Sequence, residues 1–563
     1  MSTSVEEARQ ALERGDFDIA IRASESLLRR QPKDINALTV LARARLATGE
    51  PTAAAGALAE VIKLDPTQVW AFVALGDVYL SSGHNQQAEA LARKALLLDS
   101  EHAAAHAQMG VILSENNDLA GGEFHLRRSL ALDEEEPRVL ADLALNLTQQ
   151  GRTDEAQGLY RAASERSPDD VRIAAYWAKL HELEGDLERA DAQLQRVEQK
   201  SADEVNLLRA SLDARRGHTR EALTVLENAT ELSGDALLER GRIYDRQQDY
   251  DRAWADFEAA NRHFRQQTPA IRYDKQAVEA FFNRLRHFFS RSTIEALPVA
   301  AVRASVPQPI FIVGSPRSGT TLLERMLGCH SAIVDGGELP FVAGLRVLSE
   351  GLLPGGKFPE NLRLACFGDH RYVASLFRDY YFAKAEERGL LRTPAGYFTD
   401  KMPFNECYLP LIRMAFPEAP IVHLVRHPLD IVVSMFANKL NHGFYCAYSV
   451  EDIVHHLLAV HDLHEHYRRQ MTTGEIVVQY EHLVSQPEAE IRRLLETAGL
   501  AFEDACLTPQ EKSTYSPTPS YAAVGEAINT RAVNRFANYA DKLEGHLAAL
   551  TPLLNANAYR AGP

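Results

Sequence analysis

A turn position recurs along the first half of the chain at an almost constant interval. Gly15, Gly49, Gly83, Asn117, Gly151 and Gly185 stand 34 residues apart, and Gly217 and Gln248 follow after 32 and 31. Five residues beyond each turn comes a small residue: Ala20, Ala54, Ala88, Gly122, Ala156, Ala190, Ala222 and Ala253. Glycine accepts the left-handed backbone of a tight turn, and a small side chain lets the helix after the turn pack closely on the one before it. Prolines such as Pro32, Pro66 and Pro168 then end the second helix of a pair. A generic helical bundle has no reason to keep one period over eight units.

This array resembles tetratricopeptide repeats, whose period is about 34 residues. The resemblance implies an all-α solenoid over residues 1–265, with a concave surface that holds a peptide or protein segment. Residues 266–306 continue as helix ("KQAVEAFFNRLRHFF") and end in "ALPVAAVRASVPQP", which reads as the join to a second domain. At 563 residues a second domain is required, because one hydrophobic core stops growing well below that length.

Composition narrows the partners. The net charge is −16, with no basic blocks; this argues against nucleic acid and against anionic membrane surfaces. The first twenty residues lack a basic stretch and an apolar core, so no secretory signal is expected. No run approaches the ~18 apolar residues that span a bilayer. Cys329, Cys366, Cys407, Cys446 and Cys506 form no CxxC pair and fit reduced thiols, so the expected compartment is cytoplasmic.

From residue 309 the pattern changes to short apolar runs alternating with helices. "PIFIVG", "GYFTD", "PIVHLVR" and "EIVVQY" read as strands, with helices near 319–330, 428–440, 451–470 and 487–499. That is an α/β plan with a mostly parallel sheet over residues 307–563. The first strand runs into "GSPRSGTT", a phosphate-cradling turn in which Gly314 and Gly319 let the backbone N–H groups converge. Arg317 adds a forked, permanent charge, and Ser318, Thr320 and Thr321 add hydroxyls. The lysine with which a nucleoside triphosphatase meets the β- and γ-phosphates is replaced by Thr320. The loop therefore suits one phosphate plus a transferable sulfuryl.

"PIFIVGSPRSGTTLLERMLGCHSAIVDGGELPFV" and "TDKMPFNECYLPLIRMAFPEAPIVHLVRHPLDIVVSMF" resemble the two nucleotide-binding segments of sulfotransferases, and most closely those of tyrosylprotein sulfotransferases. The resemblance spans about residues 309–540 and implies 3'-phosphoadenosine 5'-phosphosulfate (PAPS) as donor, with no metal. By position, Arg317, Ser318, Gly319, Thr320 and Thr321 would bind the 5'-phosphosulfate, and Arg426 and Ser434 the 3'-phosphate. Tyr480 matches a nucleotide-contacting tyrosine, and "SYAAVGEAINTRAVNRF" matches a closing segment with Ser520, Asn529 and Arg535 at the corresponding places. Further along the 3'-phosphate helix, where the family has a basic residue, stand Asn438 and Lys439. Glu338, 21 residues after Arg317, matches the catalytic base. Lys401 matches the lysine that stabilises the leaving oxygen, and Ser520 a second stabiliser.

These readings predict an acceptor hydroxyl on protein or peptide tyrosine, recruited by the repeats, with a homodimer allowed for. A carbohydrate or small hydroxyl acceptor is the alternative, and a non-enzymatic repeat scaffold is another. The histidines of "HHLLAVHDLHEH" match no H-E-x-x-H pattern and read as a solvated helix face.

Overall fold

The computed structural model describes the chain apart from residues 1–3, 83, 117, 134–135, 198–202, 230–231, 268–271, 304, 393–394, 441–443, 473, 512–526 and 561–563. Its first half is sixteen helices in sequence, from Val5–Glu13 to Tyr250–Gln267. The turn glycines at 15, 49, 151, 185 and 217 take φ between +74° and +84°, and Gln248 takes +64° in the same role. Gly83 and Asn117 lie outside the described residues. All seven alanines of the repeat are fully buried. The exception at Gly122 has a steric cause: a Cβ there would lie 2.3 Å from Ser114 Oγ and 2.9 Å from the Gly110 carbonyl oxygen.

Two compact units emerge, residues 1–180 with 192–200, and residues 181–191 with 201–563. The first is held by successive apolar clusters between neighbouring helix pairs, such as Leu41, Leu58 and Leu75, or Leu143, Tyr160 and Trp177. In the second unit the last helices of the array share a core with the helices around the sheet. Leu238, Trp254, Phe257 and Phe264 cluster with Leu429, Met435, Phe436 and Tyr539. The Trp254 ring lies 4.9 Å from Phe436 and 5.4 Å from Tyr539. Asn261 Nδ2 donates to the Phe436 carbonyl at 2.8 Å, which satisfies a carbonyl at a helix end.

The expected helical linker 266–306 contains the helices Lys275–Phe288 and Arg291–Ala296. Phe282, Leu285, Phe288 and Phe289 on it are buried in the same cluster as Phe311 and Tyr467.

The sheet has five parallel strands: β1 Gln308–Val313, β2 Ile333–Val334, β3 Tyr397–Asp400, β4 Ile421–Val425 and β5 Glu475–Gln479. Their order is β2-β3-β1-β4-β5. Four coincide with the apolar runs; β2 has only two residues and no periodicity to betray it. Ile310 and Ile312 face one apolar cluster and Phe311 and Val313 another, so β1 is covered on both faces. This is why its sequence reads as an unbroken apolar run. The chain leaves β3 on one side of β1 and enters β4 on the other, and such a switch opens a crevice at the carboxyl ends of the strands.

Candidate active site

The loop after β1 opens that crevice. Gly314 has φ +144°, and a Cβ on it would sit 2.4 Å from the Leu424 carbonyl oxygen. Gly319 has φ +105°, and its Cβ would sit 2.4 Å from the Tyr480 ring. Between them Arg317 itself is left-handed, with φ +69°. Successive turns of alternating hand make the backbone N–H groups converge into an anion-binding nest. Ser318 is fully buried and its Oγ has no hydrogen-bond partner among the described residues. A buried hydroxyl left without a partner calls for an explanation, and an anion oxygen in the nest supplies one. Thr320 and Thr321 are buried in the first turn of the helix Thr320–Gly328, at the positive end of its dipole.

Two arginines meet at this loop. Arg317 Nε donates to Ser434 Oγ at 3.0 Å, and Arg426 donates to the Arg317 carbonyl at 2.9 Å. The Arg426 guanidinium lies over the Tyr480 ring at 4.6 Å, 3.8 Å from Asp430, and also donates to the Ala532 carbonyl. Burial, and then the charges of Arg426, Arg242 and Arg535, push Arg317 down to about 9. Such crowding of like charge fits a site completed by an anion. Arg535 pairs with Asp245 at 3.2 Å. Asn529 bonds locally, donating to the Ala527 carbonyl and accepting from the Arg531 backbone. Ser520 lies outside the described residues.

The second group is an ion pair between a buried lysine and a half-buried glutamate. Lys401 Nζ donates to Glu338 Oε1 at 2.7 Å and stands 3.9 Å from Glu324. Lys401 is 1% exposed. Glu324 comes from the helix that begins at the loop, and its Oε1 accepts from the Gly337 N–H at 3.0 Å and the Thr399 hydroxyl at 2.8 Å. The phosphate-loop helix therefore also fixes the turn that carries Glu338. Burial pushes Glu324 up to about 7 and Asp400 up to about 8. Asp400 accepts from Tyr381 at 2.6 Å and from Asn405 at 3.0 Å.

Each strand thus delivers one side chain just beyond its carboxyl end: Arg317 after β1, Glu338 after β2, Lys401 after β3, Arg426 after β4 and Tyr480 after β5.

The histidine-rich helix Val450–Gln470 corrects the sequence reading. It is not a solvated face: His456 and His464 are buried among Ile453, Val460, Leu463 and Tyr467. His464 Nε2 lies 3.0 Å from Glu475, and His423 Nε2 lies 3.1 Å from Glu406. Ligand atoms of Glu406, His423 and His464 fall within 4.8 Å of one another.

Burial opposes charge on His464, but the Glu475 hydrogen bond and the charges of Glu475 and Glu406 leave its pKa raised. The stability it contributes is complete below the ordinary histidine value near 6.5 and lost as pH rises through the raised value. Burial also opposes charge on Glu475, yet His464 holds its pKa lowered, so that contribution is lost as pH falls. The melting temperature of His464→Gln is expected to depend less on pH above about 6.5 than that of the parent. His423, lowered by burial and by His464, slopes the other way, so the difference between the two chains is the measure. Parallel melting curves across pH 6 to 9 would refute the pairing.

Residues 309–504 match the sulfotransferase family, and residues 5–69, 71–102, 141–204 and 207–269 match tetratricopeptide repeats. The chain is a tetratricopeptide array followed by a sulfotransferase-family domain. An uncharacterized protein of Aquifex aeolicus is 27% identical over 68% of this chain and 51% of its own length. Protein-tyrosine sulfotransferase 1 of Danio rerio is 28% identical over 36% of this chain and 56% of its own length. The protein-tyrosine sulfotransferase of Drosophila melanogaster is 28% identical over 36% of this chain and 40% of its own length. The chain therefore spans about half the length of these relatives. The phosphate loop, Glu338, Lys401, Arg426, Ser434 and Tyr480 all lie inside the matched sulfotransferase segment, whereas Asn529 and Arg535 lie beyond it.

Proposed function

We propose that the protein transfers a sulfuryl group from PAPS to the hydroxyl of a tyrosine in a protein or peptide that the repeats hold. The observation that carries this reading is the part-buried Lys401–Glu338 pair at 2.7 Å, fixed through Glu324 to the helix of the phosphate loop. An acid–base pair beside an anion nest suits transfer of an anionic group to a weak nucleophile. The nest, the arginines and the orphan Ser318 hydroxyl fit a nucleotide carrying separate phosphate groups.

Arg317 to Thr321 hold the phosphosulfate end, and Arg426 and Ser434 hold the 3'-phosphate; Tyr480, Asn529 and Arg535 complete the nucleotide contacts. A phenol has a pKa near 10 and is a poor nucleophile at neutral pH. Glu338 takes its proton as the phenolic oxygen attacks sulfur. One S–O bond forms and the S–O bond to the 5'-phosphate breaks, with its electron pair leaving on the phosphate oxygen. Lys401 neutralises that oxygen, assisted by Ser520. The products are 3'-phosphoadenosine 5'-phosphate (PAP) and the tyrosine sulfate ester, and the proposal assigns no metal. Cytoplasmic residence belongs to the proposal, supported by cysteine usage that shows no disulfide among the described residues.

The repeats before residue 200 are assigned to recruitment, since every candidate catalytic residue lies beyond 309. A tethered acceptor can reach an effective concentration in the millimolar range. Incubation with labelled PAPS, a long tyrosine-bearing protein, a short tyrosine peptide and a glycan tests the whole reading. Label is expected on tyrosine, with a lower KM for the long acceptor and a similar kcat. Label on the glycan alone would replace tyrosine by a carbohydrate hydroxyl. No transfer to any acceptor would favour a scaffold.

A further inference from the structure

One arginine linked to the phosphate loop comes from the repeats. Arg242 lies near the end of the helix Gly234–Arg246, the first helix of the last repeat. Its Nη2 donates to Asn438 Oδ1 at 3.3 Å. Asn438 Nδ2 in turn donates to the Ser434 carbonyl at 2.8 Å, one helical turn back, and Ser434 Oγ receives Arg317 Nε. A chain of contacts thus runs from the last repeat to the phosphate loop. Arg242 is also felt electrostatically there, since its charge lowers Arg317 after burial and Arg426, and ahead of Arg535.

The neighbouring cation does not serve. Lys439 Nζ is held by Asp235 at 2.9 Å and lies over the Phe264 ring at 4.9 Å. Among the described residues Arg242 is held by Glu239, at 2.9 Å, and by the neutral Asn438. Its helix is fixed from behind by Leu238 and Tyr244 in the shared core, and by Asp245, which binds Arg535 and Tyr539. The Arg242 side chain is one-third exposed, so it is not sealed off from a ligand.

We propose that Arg242 is a binding residue for the 3'-phosphate of the nucleotide, so that the last repeat supplies part of the donor site. This rests on the reading of the ligand as a 3'-phosphorylated adenosine nucleotide. Arg426 and Ser434 approach the phosphate from the strand and helix of the sheet, and Arg242 approaches from the repeat side. A doubly charged phosphate takes both guanidinium groups at little mutual cost, because its charge offsets their repulsion.

Calorimetric titration of the full chain with PAP and with adenosine 5'-phosphate tests this. Arg242→Ala is expected to weaken PAP by about tenfold or more and to leave adenosine 5'-phosphate within about twofold. Arg242→Lys should recover part of the loss. Glu239→Gln removes the competing carboxylate and should tighten PAP several-fold, an outcome that a purely structural Arg242 does not produce. Equal weakening of both nucleotides, or unchanged PAP affinity in Arg242→Ala, overturns the assignment. A parent chain that binds adenosine 5'-phosphate as tightly as PAP, or binds neither, overturns the nucleotide reading itself and the inference with it.

Discussion

Glu338→Ala is expected to lower the transfer rate by about 10²–10⁴-fold, the usual cost of losing a general base, while PAP affinity changes little. In the proposed assignment Glu338 meets the acceptor, and the groups assigned to the nucleotide follow other strands. The alanine variant has a side effect that the geometry makes predictable. Lys401 is 1% exposed, and without Glu338 its remaining carboxylate is Glu324 at 3.9 Å. Leaving a buried cation short of a partner is strongly destabilising, on the order of 3–5 kcal/mol. Glu338→Gln keeps an acceptor for Lys401 and still removes the base, so it separates chemistry from stability. Both variants should lose the rate, and only the alanine variant should melt early. A glutamine variant with near-parent kcat would sink the base assignment.

Trp254→Ala is expected to cost stability on the same scale. Trp254 is 6% exposed, sits against Phe436 and Tyr539, and gives its Nε1–H to Glu258 at 3.0 Å. Truncating a buried tryptophan costs about 3–5 kcal/mol. Here the cavity opens between the last repeat and the helix Pro428–Phe436, which carries Ser434. The variant should therefore lose catalytic-half stability and PAP affinity together, although residue 254 belongs to the repeat sequence. Denaturation followed by hydrogen exchange of the helix Tyr250–Gln267 and by PAP binding would show coincident, lowered midpoints. Repeat unfolding at a lower midpoint with PAP binding unmoved would refute the shared core.

How much of this was legible beforehand depends on whether a feature repeats or is local. The array was legible because one small residue per 34 must be buried, and Ala20 through Ala253 are. The strands were legible because a sheet covered on both faces needs continuous apolar runs, and Gly314 and Gly319 because only glycine fits their spaces. β2 was missed since two residues carry no period. The histidine helix was misread because His456 and His464, eight residues apart, share a buried face with apolar neighbours, whereas the run of histidines looks polar as a string. Glu338 and Lys401 lie 63 residues apart, and only family likeness linked them before the structure brought them to 2.7 Å. Arg242 gave no signal at all. An arginine on an amphipathic helix ordinarily points to water, and nothing local says that a phosphate loop lies beyond it.

The division of the molecule near residue 200, and not at the end of the repeats, bears on how such chains can be recombined. A graft that exchanges everything up to residue 265 for a foreign array would cut through the core that contains Trp254 and Phe257, and would remove Arg242 from beside Asn438. A crossover near residue 200 leaves the last two repeats with their enzyme and changes only the units before them. Under the proposed function, hybrids made that way would vary acceptor choice and keep the donor site, because the last two repeats belong to the same compact unit as the sheet.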